Sequence, residues 1–175
     1  MTNPANKNNQ NLRDTRLNDP RGSLWRKWDL HIHTPETKKN DQYKTATGDV
    51  WDLFCKKLEE SDVVAFGITD YFSVNNYFTF IDKFKVKYSN SLKVFFPNVE
   101  ICTSDVVNKA AEEVNLHLIF NPDIPNLKTK LGEFLSNLKT NGTNSSNRNI
   151  KASELSTKED FEKSYHYKKI YRRSN

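Results

Sequence analysis

Four histidines occur in the chain, and three fall in stretches with the pattern of strands. His31 and His33 stand two apart in Trp28-Asp29-Leu30-His31-Ile32-His33-Thr34. Strand side chains alternate between faces, so this spacing puts both imidazoles on one face with Asp29, and Leu30 and Ile32 on the other. Two adjacent imidazoles gain little by packing and much by sharing a cation, although a lone His-x-His also reads as two half-exposed strand residues. Asp70 ends the apolar run Val63-Val64-Ala65-Phe66-Gly67-Ile68-Thr69. A carboxylate there sits at the C-terminal mouth of a buried parallel strand, where α/β enzymes place their sites. Taken alone, Asp70 reads equally as a helix cap or turn residue. Glu100 closes a further apolar stretch. His117 points away from Leu116, Leu118 and Phe120, and by itself also reads as a satisfied core histidine. Together the strand ends offer His-x-His, Asp, Glu and His, a donor set that suits zinc, manganese or iron rather than calcium. The expectation is that His31, His33, Asp70, Glu100 and His117 converge on one small cavity.

The elements that must position these residues follow from periodicity. Strands are predicted over 28–34, 63–69, 92–101 and 114–120, with Pro97 marking a bulge or strand end. The unbroken apolar run 63–69 is the mark of a strand buried on both faces. Helical spacing appears over 49–60 (Val50, Phe54, Leu58), 74–88 (Tyr77, Ile81, Phe84) and 126–139 (Leu127, Leu131, Leu138). Thr47 or Asp49 is the predicted cap of the first helix. Residues 103–112 read as a polar helix or loop. Residues 1–20 read as a disordered arm, 140–150 as a Gly/Asn/Ser linker without regular structure, and 153–171 as a basic helical tail. The alternation of strands and helices is an α/β pattern.

Length and composition bound the function. The chain has 175 residues, room for one ordinary domain. No apolar run approaches the ~20 residues of a membrane span, and the Asn-rich start has no secretory h-region. Two cysteines exclude a disulfide scaffold and fit a reducing cytosol. Cys55 lies on a helix stripe and reads as core, and no basic partner for Cys102 is evident. The net charge of +5 sits in the two tails, the middle being slightly acidic. Basic tails hold phosphate backbones in some proteins and are merely solvated in more of them.

Four segments carry a family resemblance. Asp29-Leu30-His31-Ile32-His33-Thr34, Gly67-Ile68-Thr69-Asp70-Tyr71, Pro97-Asn98-Val99-Glu100 and Asn115-Leu116-His117-Leu118-Ile119-Phe120 resemble the opening motifs of the PHP (polymerase and histidinol phosphatase) family. The start Trp25-Arg26-Lys27-Trp28 is similar to that of PHP modules at the N-terminus of SMC/AAA-like ATPases. The resemblance covers about residues 21–140. It implies a distorted (β/α)7 barrel, present only in part, and metal-dependent hydrolysis of phosphoesters in nucleic acid or nucleotides. By carry-over, His31, His33, Asp70, Glu100 and His117 match metal ligands, Asp70 and His117 are assigned to catalysis, and Asp29 orients a ligand histidine. Tyr71 stands where many members have a histidine, and the family's late His and Asp-x-His have no counterpart. His166, the remaining histidine, lies in a basic helical context. The chain therefore reads as the front portion of a larger protein, holding about one divalent ion weakly and acting poorly alone. An SMC/AAA-like ATPase region or chain is the implied partner, though no Walker motif occurs in these residues. A second reading is a non-catalytic fragment that binds metal or a partner. A third is a nucleic-acid module using the basic tails and Tyr165, Tyr167 and Tyr171 as stacking surfaces.

Overall fold

The computed structural model describes residues 25–38, 43, 46–106, 113–143, 146 and 148–155. The predicted arm 1–20, residues 156–171 of the predicted tail and His166 lie outside the described residues. Strands β1 (Trp28–His33), β2 (Ala65–Tyr71), β3 (Val94–Val106) and β4 (Glu113–Ile119) form one sheet in that order. Helix α1 (Val50–Glu60) connects β1 to β2, and α2 (Asn75–Lys87) connects β2 to β3. Both of these strand pairs are parallel, whereas β4 runs antiparallel to β3. Helix α3 (Leu127–Asn137) follows β4. Among the described residues no helix is long and apolar enough to cross a membrane.

This corrects the expected (β/α)7 barrel. The described chain forms a small α/β domain: a curled, mixed four-stranded half-barrel sheet with three helices. The physical reason lies between β3 and β4. Their connection spans only residues 107–112, and a parallel return needs a dozen or more residues. The strand therefore comes back antiparallel, and the β-α-β winding stops. Residues 103–106, read as polar helix or loop, extend β3 instead.

All three helices pack on one face of the sheet. Phe66, Ile68 and Phe95 meet Trp51, Phe54, Cys55 and Leu58 of α1 and Tyr77, Phe80 and Phe84 of α2. Val99, Ile101 and Leu118 continue this face under Leu127, Leu131 and Leu135 of α3. Asp49 is the cap of α1, accepting hydrogen bonds from the amides of Trp51 and Asp52 at 2.9 and 3.2 Å. Pro97 fits inside β3 because its carbonyl accepts from Phe120 N at 3.0 Å, beyond the end of β4. Its missing N–H points to that same side, so the parallel ladder to β2 loses no bond. The stretch 140–150, expected to lack regular structure, contributes a small ribbon of β5 (Lys139–Thr143) and β6 (Asn149–Lys151). Side-chain bonds supply what composition does not: Thr140 Oγ1 donates to Ile150 O at 2.8 Å, and Asn149 Nδ2 to Thr140 O at 3.0 Å.

The opposite face carries no helix among the described residues, and there β1 is irregular. Leu30 and His31 stand against the single residue Gly67, since Asp29 pairs with Phe66 and Ile32 with Ile68. Gly67 permits this bulge. A Cβ on Gly67 would stand 2.1 Å from the Leu30 carbonyl oxygen. Gly67→Ala is thus expected to cost about 1–3 kcal/mol, because backbone must move. The check is a lowered urea midpoint with an unchanged slope.

Candidate metal centre

The bulge delivers two imidazoles to one point. His31 Nε2 and His33 Nε2 lie 3.0 Å apart. Glu100 Oε2 lies 3.3 Å from the first and 3.2 Å from the second. These three donor atoms form the one cluster of metal-ligating type among the described residues. A single proton on one imidazole satisfies one edge of such a triangle, whereas a divalent cation satisfies all three corners. Ligand atoms bound at ~2.0–2.1 Å with tetrahedral angles stand ~3.3–3.4 Å apart, and octahedral angles bring them to ~3.0 Å. The observed edges span those values, so the donors fit one face of either geometry.

Each corner has a support. Glu100 is 1 % exposed, and its Oε1 accepts a 2.6 Å hydrogen bond from Asn115 Nδ2. That leaves Oε2 buried and without a hydrogen-bonded partner, facing the two rings. The His33 ring stacks on Tyr71 at 4.9 Å and 19°, and its Nδ1 lies 3.4 Å from Thr37 Oγ1. Tyr71 thus acts as a packing wall for His33. The His31 side chain is 51 % exposed and leaves that side open to solvent. Asp29 holds the bulge rather than a ring, accepting from the His31 amide at 3.2 Å. Asn98 donates through Nδ2 to Leu30 O at 2.8 Å and to Thr69 Oγ1 at 3.0 Å, tying β1 to β3 across Gly67.

The other two predicted ligands lie apart from the triangle. His117 pairs in register with Glu100, and its ring sits 4.2 Å from that of His31. Its Nδ1 meets Asn98 Nδ2 at 3.1 Å. Asp70 alternates with Thr69 and Tyr71, the residues in register with Asn98 and Glu100, so its side chain leaves the strand on the other side. Its Oδ1 accepts from Thr34 Oγ1 at 3.2 Å, while the buried Oδ2 has no partner. The five predicted donors are therefore brought together as three, with His117 adjacent and Asp70 separate. The sequence reading missed Asn98 and Asn115 as supports, although both lie in the quoted motifs. Their positions, two residues before Glu100 and two before His117, are the signal that would have placed them on the same face.

The electrostatics suit a cation. Burial works to raise the Glu100 pKa, but contact with His33 and the charges of His33, His31 and His117 outweigh it and hold the carboxyl below its ordinary range. Burial, then the neighbouring His31, keeps His117 below the usual imidazole value despite Glu100. A neutral imidazole is the ligating form.

Comparison of the chain with family models, curated proteins and solved structures finds no match in any of them.

Proposed function

We propose that the chain carries a divalent-metal centre of PHP type, formed by His31, His33 and Glu100, that hydrolyses phosphoesters. The observation that supports this is the triangle of Nε2, Nε2 and Oε2 with edges of 3.0–3.3 Å around a buried carboxylate oxygen that lacks a hydrogen-bonded partner. A zinc, manganese or iron ion held there would polarise a phosphoryl oxygen and lower the pKa of bound water. Glu100 supplies the charge that fixes the cation, and Asn115 and Tyr71 hold Glu100 and His33 in place. His117, neutral and beside His31, is the group placed to take or give a proton next to the centre. Asp70, the other residue assigned to catalysis by the resemblance, holds Thr34, whose carbonyl accepts from Thr37 N at 3.2 Å, and so supports from behind the turn that carries Thr37 to His33. Nucleic acid or a nucleotide as substrate, an SMC/AAA-like ATPase as partner and the cytoplasm as compartment belong to this reading and rest on the motif resemblance.

A second reading has its own support. With one three-donor cluster among the described residues, the chain suits a single ion better than the paired ions of a two-metal phosphoesterase. It would then be a non-catalytic metal-binding module. Metal analysis and hydrolysis of bis(p-nitrophenyl) phosphate separate the two. The expected result is about one ion per chain and slow, chelator-sensitive turnover that Glu100→Gln abolishes. Metal without turnover selects the second reading, and a chain that takes up no divalent ion overturns both.

A further inference from the structure

β4 is an outer strand of the sheet, and among the described residues nothing pairs with its far side. Phe120 N donates to Pro97 O across the line of β3 and β4 at 3.0 Å. By alternation the backbone groups of Leu118 and Leu116 also turn toward β3, and those of Asn115, His117 and Ile119 turn outward. Natural edges are blunted by charged side chains, proline or a bulge. The stretch Val114 to Phe120 contains no Asp, Glu, Lys, Arg or Pro, and its register against β3 is regular from Asn115 to Ile119. Leu116 is 48 % exposed and Ile119 43 %. On the helix side the apolar strip runs from Leu116 through half-buried Leu118 and Phe120 to exposed Phe134 of α3, whose ring is 5.7 Å from that of Phe120. The other outer strand is protected. β1 carries the bulge at Leu30 and His31, charged Lys27 and Asp29 flank Trp28, and Asp29 takes up the His31 amide.

We infer that β4 is a dimerisation edge, and that it pairs antiparallel with β4 of a second copy of this chain. A row of outward amides and carbonyls selects a strand as its occupant. The side chains select this same strand, because the pattern is its own complement. A two-fold axis through His117 sets Val114 against Phe120 and Leu116 against Leu118 on the helix side, and Asn115 against Ile119 on the other. Every residue from 114 to 120 then has a partner, apolar meets apolar under the helices, and no two like charges are opposed. The pairing joins the two four-stranded sheets into one. With β1 blunted, association closes at the dimer instead of running on into fibres. Glu100 is the register partner of His117, so Glu100 and its copy lie straight across the joined sheet, three strand spacings or ~14 Å apart. The dimer therefore brings the two candidate metal centres side by side on one face, although the association itself needs no metal.

The test uses the full 175-residue chain in chelator, which separates failure of the metal centre from failure of this inference. Sedimentation velocity over a concentration series is expected to show a dimer that dissociates on dilution. Leu116→Lys should weaken it on the order of ten-fold, since the two-fold repeats the substitution within one interface. Ile119→Pro removes an outward N–H and no bond to β3, and should weaken it as well. Trp28→Lys, at the other edge, should leave it unchanged. Amide hydrogen exchange on the parent identifies the surface without any variant. The Asn115, His117 and Ile119 amides should be slow in the dimer and fast at dilutions where the chain is monomeric. A monomer at every concentration overturns the inference. So do outward amides already slow in the monomer, which would give the edge to another segment of this chain. A dimer that leaves those amides fast, or that Trp28→Lys disrupts, assigns association to another surface and overturns it too.

Discussion

Replacing His31 and His33 together by alanine is expected to weaken manganese or zinc binding on the order of 10³-fold. A structural zinc site with four ligands is worth ~10–16 kcal/mol, so two lost donors of three remove several kcal/mol, and 1.4 kcal/mol is tenfold. Isothermal titration at pH 7.5 measures it. The fold should survive, because His31 is half exposed and the core beneath β1 is built from the other face. The variant also removes the imidazoles that face Glu100 Oε2 at 3.2–3.3 Å. Glu100 would then be a buried carboxylate facing empty space, so its pKa should rise toward the desolvated value. The double variant should accordingly lose stability as pH rises from about 4.5 through that raised value, where the parent gains it. Retained metal affinity would put the ion elsewhere and remove the basis of the proposed centre.

The part of this centre that was legible in the sequence is the part set by alternation. His31 and His33 two apart in a strand must share a face, and they do. Glu100 and His117 were read on separate strands and expected to converge on one cavity, and the register makes them direct partners. What alternation alone cannot show is slippage. The bulge at Leu30 and His31 depends on Gly67 having no side chain, and a glycine in a strand pattern does not reveal which neighbour comes close. Asp70 shows the other limit. The apolar run suggested a strand ending before it, which left its direction open. The strand continues to Tyr71, and one further residue decides which face the carboxylate takes. The antiparallel β4 was not legible from spacing, because the twelve residues between the predicted strands just meet the dozen that a crossover needs. Only the extension of β3 to Val106 shortens the connection to 107–112 and forces the antiparallel return. The ribbon at Lys139–Thr143 and Asn149–Lys151 had no strand signal in its composition, since Ile150, packed with Tyr71 and Leu155, is its one apolar residue.

Asp70 gives the other large expected effect, and its sign is opposite to that of an acid held by a salt bridge. Burial pushes its pKa from 3.8 up to about 7, against the Thr34 hydrogen bond and the Lys38 and His33 charges. Between those values the folded carboxyl keeps a proton that the unfolded chain has released. Stability from this group therefore falls as pH rises from about 4 to 7, and the penalty is complete above 7. Glu100 and His117 have depressed values and act the other way, losing stability as pH falls. The parent's own profile thus mixes signs, and the difference from Asp70→Asn isolates one of them. Asparagine keeps the Thr34 bond and carries no charge. Over pH 5 to 8 the variant is expected to gain roughly 2–3 kcal/mol on the parent, about two pH units at 1.36 kcal/mol each. Guanidinium unfolding at the two pH values reads this directly, and a difference that stays flat would show the carboxyl ionised throughout. Adding manganese then decides the role that the motif resemblance gives Asp70. As a ligand it would ionise on binding, so saturating metal would erase the pH-dependent gain and Asp70→Asn would lose affinity as steeply as a triangle residue. With its side chain on the other side of β2 from the triangle, the expected result is a gain that survives saturating metal and an affinity loss of about ten-fold, the lower end of the scale for a residue that supports a ligand from behind.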